Sequence, residues 1–188
     1  MDISPESLRG HFLMAMPSLM DANFHKSVTC ISEHNDQGAV GIVVNQIHEG
    51  ITAGLIFEEL GIAFKESVGA LSIHIGGPVH MNELFVLHGP PLSWNGSLIF
   101  GNDLAMSNAR EIIEAIALDQ GPRNFIIALG CAGWAPGQLE WEMSQNAWLV
   151  TPCRNDIMFE LPIETRWESA IRLLGIDPQR ISDSAGHA

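Results

Sequence analysis

The stretch from His11 to Asn45 constrains this chain most, because it spells three short strands joined by two polar turns. His11 to Met16 is an apolar run closed by Pro17, whose missing amide hydrogen suits a strand end. The polar break at Asp21 to Asn23 separates it from Ser27 to Glu33, where Val28 and Cys30 point to one face and Thr29 and Ile31 to the other. His34 to Gly38 reads as a hairpin loop, with glycine where a positive φ is expected, and Ala39 to Val44 as the return strand. Two antiparallel connections so close together make a meander.

Composition narrows the class. A chain of 188 residues, 46% of them hydrophobic, fits one domain around a single core. The net charge of -13 repels phosphate backbones, and the nine basic residues are scattered, so direct nucleic-acid binding is disfavoured. No apolar run approaches the roughly 20 residues of a spanning helix. The acidic start, Met1 to Glu6, is unlike a signal peptide. Cys30, Cys131 and Cys153 form an odd set without zinc or redox spacing, which points to a reducing cytoplasm.

Further along, Ser4-Pro5-Glu6 has the form of a capped helix start. Thr52 to Leu60 reads as a helix with Leu55, Ile56 and Leu60 as its apolar stripe, and Gly61 past its end. Strands are expected at Ala70 to Ile75, Glu83 to His88, Ser97 to Phe100, Asn124 to Leu129 and Ala147 to Val150. Asn108 with Glu111 fits a capping box opening a helix to Gln120, striped by Ala109, Ile112, Ile113 and Ile116. A glycine-rich turn, Gly130 to Gly137, leads to a helix from about Pro136 to Gln145, and Thr165 to Glu168 caps a last helix whose apolar face is Ala170, Ile171 and Leu174. Hairpin groups punctuated by single helices predict an α+β fold, with a mainly antiparallel sheet and four to five helices packed on it.

Several motifs carry a resemblance that runs nearly the whole chain: Ala15 to Leu19, Asn23-Phe24, Ser27-Val28, Glu33 to Asn35 and Gly41 to Asn45; Gly76 to Val79 with Phe85 to His88; Ala128 to Gly130, Ala132 to Trp134 and Gly137 to Glu140; Asn146 to Leu149; and the ending Ala185 to Ala188. In these the sequence resembles the YqgE/AlgH family of bacterial proteins. The resemblance implies one α+β domain over residues 1–188 and, through the name AlgH, a transcriptional-regulator label. Asp21, Ser27, His34, Asn45, Gly76, Gly77 and Pro78 match family motifs position by position, and polar strand ends and glycine turns are where a scaffold presents a site.

The residues themselves point to a ligand site more readily than to a reaction. A helix start near Gly133, Trp134, Gly137, Gln138 and Glu140 suits an anionic group, although its glycine spacing is neither a P-loop nor a dinucleotide fingerprint. Glu140 and Glu142, two apart on a helix, do not face each other and read as a solvated face. The histidines match no compact zinc pattern and read as surface or capping residues; no cofactor, metal or catalytic set is assigned. Cys131 reads as a small buried hydrophobe, and in the resembled family a tyrosine commonly stands there. Two function classes follow. One is a noncatalytic cytoplasmic protein that binds a small ligand or a protein partner; the other is an enzyme with a pocket near His34, Asn45 and Gly130 to Glu140. A third, assembly through a strand edge or a tryptophan-bearing surface, has Trp134, Trp141 and Trp148 at least partly in the core.

Overall fold

The computed structural model describes residues 7–101 and 103–184, the last three by backbone alone. The expected helix start at Ser4-Pro5-Glu6 and the family-like ending lie outside the described residues. The meander forms as read: β1 (His11–Ala15), β2 (Val28–Asn35) and β3 (Gly38–Val43) pair in antiparallel succession. Its hairpin loop shrinks to Asp36-Gln37, because Asn35 already pairs with Gly38. His34 is therefore a strand residue, only 8% exposed, and not a loop residue. A Cβ on Gly38 would stand 2.1 Å from the Trp134 carbonyl oxygen, so this corner requires glycine.

The chain continues through β4 (Ile47–Thr52), α1 (Ala53–Glu59), α2 (Glu66–Gly69), β5 (Ser72–Ile75), β6 (Val79–His88), β7 (Leu98–Phe100), β8 (Leu104–Ser107) and α3 (Arg110–Ala117). It then forms β9 (Phe125–Trp134), α4 (Gln138–Ser144), β10 (Trp148–Pro152), α5 (Arg166–Arg172) and α6 (Pro178–Ser184), with short 3-10 or π turns at Ala22–Phe24, Asp156–Glu160 and Ile163–Thr165. The sheet runs β10-β1-β2-β3-β9-β6-β8-β7, with β5 joining β9 and β4 joining β5. Every pairing is antiparallel except β5 with β9. The α+β fold with a mainly antiparallel sheet is thus the one present. Among the described residues no helix is long and apolar enough to cross a membrane.

Strand alternation divides the interior. Phe12, Met14, Val28 and Cys30 face one layer with Met158 and with Trp167 and Ile171 of α5. Leu13, Ile31 and Val43 face the opposite layer, closed by Leu139 of α4 with Trp134 and Trp148. A third cluster packs Phe57 of α1 and Ile112, Ile113 and Ile116 of α3 against Ile73, Val86 and Ile127. The free thiols of Cys30 and Cys153 meet in the first layer, sulfurs 3.4 Å apart.

Five further readings are corrected. The glycines Gly130 and Gly133 do not form a turn: β9 runs through both, and only Ala135 to Gly137 separate it from α4. The Asn108 capping box does not form, since α3 starts at Arg110 after Ala109, whose amide donates instead to Ser107 Oγ at 3.2 Å. The buried face of α1 is Ala53, Gly54 and Phe57, while Leu55 is exposed; Gly54 lies against the Gly69 backbone, where a Cβ would meet its carbonyl oxygen at 3.1 Å. Trp141 stands on the outer side of α4 at 65% exposure, and Leu174 is partly exposed past the end of α5, where Trp167 takes its place in the core. β4 and β8 were not expected, one being polar and the other short.

Candidate functional site

The twelve residues singled out from the sequence divide into three local arrangements. Asp21 Oδ1 accepts from the Asn23 amide and side chain, both at 2.9 Å, and caps the turn into Phe24. Asn45 ties two segments: its Oδ1 accepts from Val28 N at 2.7 Å and its Nδ2 donates to the Lys26 carbonyl at 2.8 Å. Ser27 beside it is fully buried, and its hydroxyl has no hydrogen-bond partner among the described residues.

The second arrangement surrounds α4. Its N-cap is Gly137 at φ +74, and Gln138 Oε1 accepts from Ala135 N at 3.0 Å. Leu8 N donates to His34 Nδ1 at 3.0 Å, which leaves the proton on Nε2 to donate to Glu140 Oε1 at 2.8 Å. Burial alone would raise the Glu140 carboxyl, but its own backbone amide and the His34 ring hold it below its ordinary value. Glu142, absent from the expected set, accepts from Trp134 Nε1 at 3.0 Å, Trp148 Nε1 at 2.8 Å and Gln138 Nε2 at 2.9 Å. The two glutamates therefore do not form a merely solvated face: each anchors a different part of the layer beneath.

The third arrangement is made by glycines. Gly76 and Gly77 cross the Gly130-Cys131 backbone so closely that a Cβ on Gly76 would stand 2.1 Å from Gly130 O, and one on Gly77 2.3 Å from the Cys131 carbonyl carbon. Gly130, at φ +75, meets Gly77 and Val79 in return. This contact breaks the β6 to β9 ladder: Val79 pairs with Cys131, but the next pair is Leu84 with Leu129, so His80 to Glu83 bulge outward. His80 sits at φ +51, a region non-glycine residues seldom occupy, and its Nδ1 lies 3.0 Å from Glu83 Oε1.

The bulge forms the rim of a cavity of about 350 Å³. Phe85, Leu98 and Met106 supply apolar wall, Cys131 lies among them, and Glu33, His80 and Glu83 supply the ionisable groups. Glu33 reaches it because the β2–β3 register shifts between Ile31 and Glu33, a bulge that turns Glu33 to the Cys30 side and His34 to the α4 side. Burial, with the Glu83 carboxylate second, pushes the Cys131 thiol up, opposite to the shift that activates a nucleophile. Gly76, Gly77 and Gly130 act on this cavity only through the bulge at its rim and do not line it, and His34 and Asn45 lie elsewhere and share no pocket with it. The sequence carried no signal for Glu33 and Glu83 coming together, since 50 positions separate them in the chain.

Nor are the strand-end histidines all surface or capping groups. His74 is 7% exposed and His88 fully buried, the latter with its Nδ1 2.8 Å from the Gly89 carbonyl. Among the described residues no three His, Cys, Asp or Glu side chains converge as metal ligands would.

Comparison with known proteins agrees with this architecture. A UPF0301 protein of Desulforapulum autotrophicum is 46% identical over 189 residues, 99% of this chain and all of the relative. One from Stenotrophomonas maltophilia is 42% identical over 188 residues, the whole of both chains. The solution structure of the AlgH protein from Pseudomonas aeruginosa superposes with a TM-score of 0.81 at 42% identity, covering 98% of each chain. The crystal structure of DIP2367 from Corynebacterium diphtheriae, at 22% identity and TM-score 0.72 over 93% of this chain and 89% of its own, shares the fold. With a model of the AlgH-like family matching residues 12–179, the chain belongs to the AlgH-like family.

Proposed function

We propose that this protein is a noncatalytic binding protein of the cytoplasm, whose ligand is a small molecule with a cationic head and an apolar body. The observation that carries this reading is the cavity in which Glu33 and Glu83 stand over Phe85, Leu98 and Met106. Two carboxylates favour an ammonium group, and the apolar wall favours a hydrocarbon or aromatic body. The net charge of -13 draws cations toward the surface in the same sense. The raised Cys131 thiol supports binding over nucleophilic chemistry. A regulatory role for such a protein runs through ligand occupancy or a protein partner, since its charge disfavours direct contact with DNA.

The test is calorimetric titration of 2-phenylethylamine against the matched 2-phenylethanol. The amine should bind, the alcohol should bind at least about tenfold more weakly, and Glu33→Gln with Glu83→Gln should remove the difference. Equal affinities for amine and alcohol, or an amine affinity untouched by both substitutions, would overturn the reading.

A further inference from the structure

A second cavity, of about 290 Å³, lies where β5 meets the start of β9, and its lining includes Leu71, His74, Arg123, Asn124, Ile126 and Phe159. It shares no lining residue with the first. Its charge is also opposite, since no carboxylate lines it.

Three observations converge on it. His74 pairs in register with Ala128 of β9, is 7% exposed, and has no aligned hydrogen-bond partner on either ring nitrogen. The Ile127 carbonyl lies near enough to favour the protonated ring slightly, but it makes no aligned bond. Buried polar groups in native proteins are nearly always bonded, so an orphaned ring in the wall of a cavity marks a partner that enters from outside. Arg123 is exposed at the same cavity and makes no hydrogen bond or ion pair among the described residues. Behind them, buried Arg166 donates to the carbonyls of Leu161 and Val44, has no carboxylate within 4 Å among the described residues, and adds its positive field at His74.

We infer that this cavity binds a small organic acid, with its carboxylate between Arg123, the His74 ring and the Asn124 amide, and its carbon body against Leu71, Ile126 and Phe159. The planar guanidinium fork matches a carboxylate. Neutral His74 presents one N–H to it. The apolar wall gives an organic anion an advantage that inorganic phosphate lacks.

Titration calorimetry of the full-length protein with benzoate, benzyl alcohol and inorganic phosphate tests the site. Benzoate should bind at least about tenfold more tightly than either control. Arg123→Gln, an exposed substitution that leaves the core alone, should weaken benzoate about tenfold or more without changing benzyl alcohol. His74→Gln should weaken benzoate too, and benzoate should move the backbone amide resonances of His74 and Asn124. Phosphate binding as tightly as benzoate would assign an inorganic anion instead. Equal binding of benzoate and benzyl alcohol would reduce the site to an apolar hollow, and either an affinity unchanged in Arg123→Gln or no benzoate binding at millimolar concentration would overturn the proposal.

Discussion

Two histidines of nearly equal burial, His34 at 8% and His74 at 7%, show how differently two regions of this sheet are used. His34, under α4, has both ring nitrogens bonded, one to Leu8 N and one to Glu140. Around it the indoles of Trp134 and Trp148 are also bonded, to Glu142. His74, beside the second cavity, has neither nitrogen bonded. The first region is a closed polar frame that locks helix to sheet. The second leaves donors and cations open to something that enters. Sequence position does not distinguish them, for each histidine sits within a strand.

The largest expected effect tests the frame. Trp134→Ala removes a ring stacked on Phe24 and edge-on to Trp148, and should cost about 3–5 kcal/mol in chemical denaturation. A loss near 1 kcal/mol would mean that this layer is looser than its bonds imply.

Next comes pH. Burial first, then the charge of Arg166, lowers the His74 pKa from 6.5 to about 4, the Ile127 carbonyl opposing slightly. Between those values the unfolded chain carries the proton and the folded chain does not. Stability therefore rises with pH across the window and falls on acidification through it, by up to about 3 kcal/mol. Buried His88, also lowered by desolvation, adds in the same direction. Denaturation midpoints at pH 7 and pH 4.5, compared between the natural chain and His74→Leu, isolate the His74 share. An identical pH slope in the two would break the contrast.

The direct comparison is smaller. His34→Leu should cost about 1–3 kcal/mol, because Leu8 N and Glu140 lose a partner in a part-buried site. His74→Leu at pH 7 should be neutral or stabilising by about 1 kcal/mol, since an unbonded polar ring is replaced by an apolar group. Equal losses would show that His74 is bonded after all, for example through water. Smallest of all, Arg110→Ala removes an exposed helix pair with Glu114 and should change stability by no more than about 0.5 kcal/mol.

Much of the fold was legible because its signals are local. The meander, the Ile112, Ile113 and Ile116 stripe of α3 and the unbroken apolar run opening β9 each follow from side-chain period. The misreadings arise where long-range contact overrides local signs. Gly130 reads as a turn, yet it keeps β9 in the sheet because only glycine admits the crossing Gly76-Gly77 backbone. β4 carries His48 and Glu49 and lacks strand alternation, yet it pairs with β5.

The site was legible only in its scaffolding. Most of the residues chosen from motifs make caps, close crossings or the His34–Glu140 bond, which is structural work done by polar residues and glycines. Sequence by itself determined the α+β class, the faces of the strands and the acidic character, because propensity, alternation and charge reside in neighbouring residues. Tertiary structure alone decided which carboxylates line one cavity with Phe85 and Met106, that Glu142 bonds two indoles, and that His74 is buried at a cavity with no partner among the described residues. Those outcomes depend on which side chains the folded sheet and its helices bring together, and on burial removing the water that would otherwise satisfy them.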